Sequence, residues 1–292
     1  MDRILFGDNQ FFGINHMSEE KARQQTMQFA KIESVMETLV AARDAGIEVF
    51  MCTTHDRVAE VTEVVRRAPE NWKDFKFYPC MPYAHKYANA VTEHGYLDAL
   101  KKLIPNDGLL NTAFRGGKAL LMRDLASMAM LLIDAEMKPF KELKTPVIFV
   151  QNVVTDLILG LGYWDAFGVF ADHVRKKYDA EPGFITMNLP NLLPALESVG
   201  IPNPIVCANV NKIGFRMSGG IEAYRQATDR WPARVIAMSV LASGAIAPAE
   251  AIEWVVGERY VQSILFGASS ERNIRNTVDL IRHFDAGVAV AA

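Results

Sequence analysis

The sequence predicts an α/β protein, a (β/α)8 TIM barrel built as a single domain over residues 1–292. Two observations carry this. Short apolar runs without polar alternation take turns with longer stretches of helical period, the pattern of parallel strands covered by helices. Eight such units follow one another, and eight parallel strands close into a barrel. A doubly wound open sheet is the alternative. It usually has fewer strands and a Gly-rich first turn, and "FGDNQFFG" (6–13) contains no GxGxxG. The length is ordinary for one barrel, and no linker-like stretch divides the chain.

The first strand is ILFG (4–7). IESVMETLVAARDAG (32–46) places Ile32, Val35, Met36, Leu39 and Val40 on one helical face and stops at Gly46. IEVFMC (47–52) is the second strand. The amphipathic DRVAEVTEVVRRA (56–68) follows it, with Asp56 placed to cap the helix. FKFYPC (75–80) is the third strand, and a helix is expected near 94–103. Residues 106–145 exceed a simple unit and read as a helical insertion before the fourth strand, PVIFVQ (146–151). Within it, 116–137 is a helix whose Met-rich faces suit core filling. Helix 163–177, strand GFITMN (183–188), helix 190–199 and strand PIVCAN (204–209) come next. Helix 219–229, strand RVIAMSV (234–240), helix 248–256, strand VQSILFG (261–267) and helix 270–284 complete the repeat, and 286–292 read as a flexible tail.

Composition narrows the function. A net charge of −3 with scattered basic residues gives no electrostatic footprint for nucleic acid. The apolar runs fall short of the ~18 residues that span a bilayer. MDRILFGDNQ at the N-terminus has no apolar stretch of signal-peptide length. Three cysteines, an odd number, then point to a reduced, cytoplasmic protein. The expected partner is a small molecule, with neither nucleic acid nor membrane involved. Self-association into a homo-oligomer is left open.

Barrel chemistry sits where strands run into helices. Strand one ends in Asp8, Asn9 and Gln10, with Asn15 and His16 beyond. Strand two ends in Cys52, Thr53, His55 and Asp56, and strand three in Cys80, Tyr83, His85 and Lys86. Later strand ends supply Gln151, Asn152 and Asp156, then Asn188, then Asn209, Asn211 and Lys212, then Ser239 and Ser243. Cys52, His55, Cys80 and His85 are of the types that Zn or Fe accepts, and neighbouring strands lie ~5 Å apart, so a divalent metal site is one expectation. A Cys nucleophile with His55 or His85 as base is another. The bland reading is local hydrogen bonding and buried thiols. Lys86 or Lys212 as an imine lysine needs a depressed pKa that sequence does not display.

"FGASSERNIRN" (266–276) leaves a strand, turns at Gly267 and enters a helix at Ser269–Ser270. A helix N-terminus offers free N–H groups and a positive dipole end, and Arg272 adds a cationic fork, so a phosphate site is expected there. A serine that only caps the helix is the alternative. "FRGGKALL" (114–121), with Lys118, has similar composition and suits a solvated surface.

"MSVLASGAIAPAEAIEWV" followed by "SILFGASSERNIRNTVDLI" (within 238–281) resembles the end of the aldo-keto reductases. There a Ser-bearing turn is followed by Arg or Leu, then by Asn four residues later; here those are Ser269, Arg272 and Asn276. "AARDAGIEVFMCTT" (41–54) and "GFITMN" (183–188) resemble further segments of that family in the same order. The resemblance implies a barrel and a phosphate pocket. The family reduces carbonyls with NADPH through Asp, Tyr, Lys and His. Its Asp falls here on Met51 or Cys52, its Tyr near His55–Asp56, its Lys on Cys80 and its His on Gln151.

The first expectation is therefore a barrel enzyme with changed chemistry, metal-assisted or acid–base, on a small polar, phosphorylated or nucleotide-linked molecule. Asp8, Cys52, His55, His85 and Lys86 are its candidate catalytic residues. Asn9, Gln10, Gln151, Asn188, Asn211, Ser269, Ser270, Arg272 and Asn276 are candidates for holding substrate or phosphate. The alternatives are an NADPH-dependent oxidoreductase with a substituted tetrad, and a ligand-binding barrel without catalysis.

Overall fold

The structure, a computed structural model, describes residues 1–13, 19–83 and 129–291. Eight strands form one closed barrel in sequence order: β1 (Ile4–Phe6), β2 (Val49–Thr53), β3 (Lys76–Met81), β4 (Val147–Val150), β5 (Glu181–Thr186), β6 (Ile205–Asn209), β7 (Arg234–Met238) and β8 (Val261–Phe266). All neighbouring pairs are parallel, and β1 closes on β8 with Leu5 opposite Leu265. Around it run α1 (Glu19–Gln28), α2 (Ile32–Asp44), α3 (Asp56–Arg67) and α4 (129–137 within the described residues). Beyond them come α5 (Asn152–Leu161), α6 (Asp165–Tyr178), α7 (Leu189–Ser198), α8 (Gly220–Arg230), α9 (Pro248–Val256) and α10 (Glu271–Ala291).

The strands are apolar throughout because both their faces are buried. One face fills the barrel with Leu5, Met51, Tyr78, Cys80, Phe149 and Cys207. The other packs on the helices, as Phe6, Phe50 and Cys52 do. The interior is filled tightly. Phe149 on β4 is fully buried and lies opposite Gly183 on β5, where a Cβ would collide with its ring.

Every predicted strand is present within two residues of its expected ends. Four differences have physical reasons. Helix α5 is not among the expected elements: β4 is followed by two helices, Asn152–Leu161 and then α6, where the repeat of one helix per strand leads one to expect a single helix. His55, not Asp56, caps α3, its ring nitrogen accepting from the Arg57 N–H at 3.0 Å. Helix α10 continues to Ala291, through residues expected as a tail. Of the expected insertion 106–145, residues 129–137 are helical and Lys138–Phe140 form a 3-10 turn. The remainder up to 128 and the helix expected near 94–103 lie outside the described residues, as does Lys118.

The loop leaving β1 is what shapes the mouth. It turns through a 3-10 segment, Asn9–Phe12, and is pinned by Phe11, whose ring lies 5.0 Å from Phe29 and 6.0 Å from Phe50. Arg57 fastens the next joint by donating to the carbonyls of Phe29 and Ala30 at 2.6 and 2.9 Å.

Candidate active site

Asp8 follows the short first strand directly and is only 5 % exposed. One of its oxygens accepts both the Thr53 N–H at 2.6 Å and the Thr53 hydroxyl at 2.7 Å, which joins the ends of β1 and β2. Burial pushes the carboxyl up to about 6, although the bonds from Thr53 pull the other way. That is the range in which a carboxyl can both take and give a proton near neutral pH.

His55 and Tyr83 stand beside it. Phe12, brought over by the 3-10 turn, stacks on the His55 ring at 4.2 Å and 26°. Tyr83 meets the same ring edge-on at 5.2 Å. Because Nδ1 of His55 accepts from Arg57, a neutral ring carries its proton on Nε2. Burial raises the Tyr83 phenol, and the charge of Asp8 raises it further, so Tyr83 keeps its proton through neutral pH. Tyr83 is a strand-end residue in the sequence, but the family pattern looks for a tyrosine near 55–56, and that draws attention away from it.

The expected metal cluster is not assembled by the described ligands. Cys52 faces the layer between barrel and helices, whereas Cys80 faces the barrel interior. The register explains this: Cys80 pairs with Thr53 and Cys52 with Pro79, so the two cysteines differ in pleat parity. Among the described residues no group of three or more His, Cys, Asp or Glu could hold a metal ion. Both thiols are raised chiefly by burial and further by the charge of Asp8, which opposes the thiolate that a ligand or nucleophile requires. Asn15, His16, His85 and Lys86 lie outside the described residues.

The remaining strand ends divide into free groups and groups already used. Asn211, fully buried, is used: its amide accepts from the Phe215 N–H at 2.7 Å and donates to the Phe215 carbonyl at 2.9 Å. Lys212 is paired with Glu250 at 2.7 Å in an exposed contact. Gln151 donates weakly to the Cys80 carbonyl at 3.4 Å. Asn188 makes no side-chain hydrogen bond among the described residues, yet its backbone is fixed. Asp156 accepts the Thr186 hydroxyl and the Met187 N–H, and Thr186 accepts the Asn188 N–H at 2.8 Å.

Across the mouth, Ser270 caps α10 by accepting the Asn273 N–H at 3.4 Å, and the Ser269 carbonyl accepts from Gln28 at 2.7 Å. Arg272 and Asn276, one helical turn apart, are exposed, and their side chains make no hydrogen bond among the described residues. Gln10 is 4 % exposed. Its amide nitrogen donates to the Gly7 carbonyl at 2.7 Å, while its oxygen has no partner and lies against Gly267. Asn9 is exposed. In the loop after β7, Ser239, Ala242 and Ser243 are all left-handed. An unpaired guanidinium, an unpaired amide and free helix N–H groups fit a phosphate, and the orphaned Gln10 oxygen fits a neighbouring hydroxyl or amine.

The sequence matches no family model and no curated protein. Solved structures do match. A putative aldo-keto reductase from Pseudomonas aeruginosa superposes with a TM-score of 0.63 at 12 % identity, over 97 % of this chain and 90 % of that one. A putative 2,5-diketo-D-gluconic acid reductase B gives 0.57 at 12 %, over 97 % and 85 %. The glycerol dehydrogenase of Gluconobacter oxydans gives 0.55 at 10 %, over 96 % and 86 %. The chain thus has the eight-stranded parallel barrel of the aldo-keto reductases, and at these identities the likeness is one of fold.

Proposed function

We propose that the chain is a barrel enzyme that performs acid–base chemistry on a small polar molecule carrying an anionic group. The observation that carries this reading is Asp8, a nearly inaccessible carboxyl held at a strand end and pushed up to about 6 beside the Tyr83 phenol. Ionised, Asp8 removes a proton next to a carbonyl. The Tyr83 hydroxyl donates its hydrogen to the carbonyl oxygen, so that the enol forms without a free enolate charge. Asp8 then returns its proton to the neighbouring, former carbonyl carbon while the hydroxyl on the first carbon gives its hydrogen to Tyr83 and becomes the new carbonyl, which completes an isomerisation. His55 orients Tyr83 through their edge contact, and Arg272, Asn276 and the first N–H groups of α10 hold the anion.

The test is conversion of phosphorylated and nucleotide-linked hydroxycarbonyl compounds, followed by proton and phosphorus NMR with no nicotinamide added. The wild type should convert at least one, with a rate that rises as pH passes about 6. D8N and Y83F should each lose ~10²-fold or more. A wild type inert towards the whole set, or D8N turning over at the wild-type rate, would end this reading.

A second reading is favoured by the fold and by the unpaired Arg272 and Asn276: an NADPH-dependent oxidoreductase. The cofactor's phosphate would lie against Ser269, Arg272 and Asn276, and when bound it supplies a hydride. Tyr83 would then give its proton to the carbonyl oxygen that is being reduced. Titration of NADPH fluorescence decides: saturation in the micromolar range, weakened ~10-fold or more by R272A through loss of a charged contact, is expected, and no binding at high micromolar cofactor removes it.

A further inference from the structure

Apolar side chains exposed singly need no explanation, but a concentrated patch does. Six of the ten large hydrophobic residues exposed among the described residues lie between 153 and 169. Three of them, Val153, Leu157 and Leu161, are spaced four apart on α5, are 50, 47 and 57 % exposed, and form one straight row on its outer side. Tyr163 and Trp164, 43 and 40 % exposed, follow the end of the row in the chain, and Val169, 37 % exposed, lies on the next helix. The opposite side of α5 is already satisfied by the buried Thr155 and Leu159. A surface helix ordinarily presents polar groups outward, and this one does not.

Two further features say what covers it. The only ionisable side chain of α5, Asp156, turns inward to Thr186 and Met187, so the outer row carries no charge. Gly160, exposed in the helix and next to Leu161, would meet nothing within 4 Å if it bore a Cβ. A helix glycine weakens the helix, and no contact within the described residues compensates for it. It leaves a shallow notch beside the row, where another backbone can approach closely.

From this uncharged, notched row we infer that α5 is the two-fold interface of a homodimer. Placed antiparallel to its own copy, α5 sets Leu157 against the partner's Leu157 on the axis, and Val153 against the partner's Leu161. An uncharged row has no like-charge repulsion across such an axis, and a two-fold contact requires just this self-complementarity. Six half-exposed large side chains per copy amount to several hundred Å2, the order of the ~800 Å2 per partner that specific dimers bury.

Sedimentation of the full chain at tens of micromolar should give twice the chain mass, and L157E and L161E should each give the single-chain mass with an unchanged circular dichroism spectrum. L157C supplies an independent readout. The three native cysteines are buried, so an oxidant should link L157C into a covalent dimer through the axis, and V153C, which lies off the axis, should link far less. A monomeric wild type overturns the inference. So does a dimer that both glutamate variants leave intact and L157C does not cross-link.

Discussion

D8N should make the protein more stable at pH 8, by on the order of 3 kcal/mol, and should confer no advantage below about pH 4. The folded carboxyl holds its proton up to about 6, against an ordinary value of 3.8, because burial penalises its charged form. Its contribution to stability is therefore fully present below 3.8 and is lost as pH rises through 6. The asparagine is neutral throughout and keeps an oxygen for the Thr53 N–H and hydroxyl. Urea midpoints of both proteins at pH 4, 6 and 8 check this. A D8N gain that is the same at all three pH values, or a net loss at pH 8, contradicts it. The same substitution is expected to abolish turnover, so the carboxyl would sacrifice stability for chemistry.

The second large effect lies below the mouth. G183A should cost about 1–3 kcal/mol, since the new methyl has no room beside the Phe149 ring. F149A alone should cost about 3–5 kcal/mol, because a fully buried ring is replaced by a cavity. The informative protein is the double variant. With the ring gone, the methyl that G183A adds occupies part of the space, so the two costs should fall short of their sum by about 1 kcal/mol or more. Simple additivity in urea denaturation would show that Phe149 and Gly183 do not share one packing site.

The strands were legible because burial on both faces leaves an uninterrupted apolar run, as in PVIFVQ. The same regularity hid α5: a repeat of one helix per strand has no place for a second helix between β4 and β5. At the mouth, residue types were legible and their directions were not. Cys52 and Cys80 look like a pair until the register places Thr53, rather than Cys52, opposite Cys80. His55 reads as reactive, yet one of its ring nitrogens is committed to capping α3. Asn211 reads as a ligand-binding amide and instead closes its own loop. Tyr83 becomes significant only once the Phe12–His55 stack sets it over the strand ends.

The filled interior has a consequence for protons. Beneath Asp8 the barrel is occupied by Met51, Tyr78, Cys80 and Phe149, so no column of water reaches the carboxyl from the far end of the barrel. Its exchange with solvent runs through the mouth alone. In the acid–base reading, a molecule seated under Phe12 and Tyr83 stops that route while it is bound. The proton that Asp8 takes is then returned to the same molecule at the neighbouring carbon, and isotopic label on that hydrogen reappears there after turnover instead of washing out.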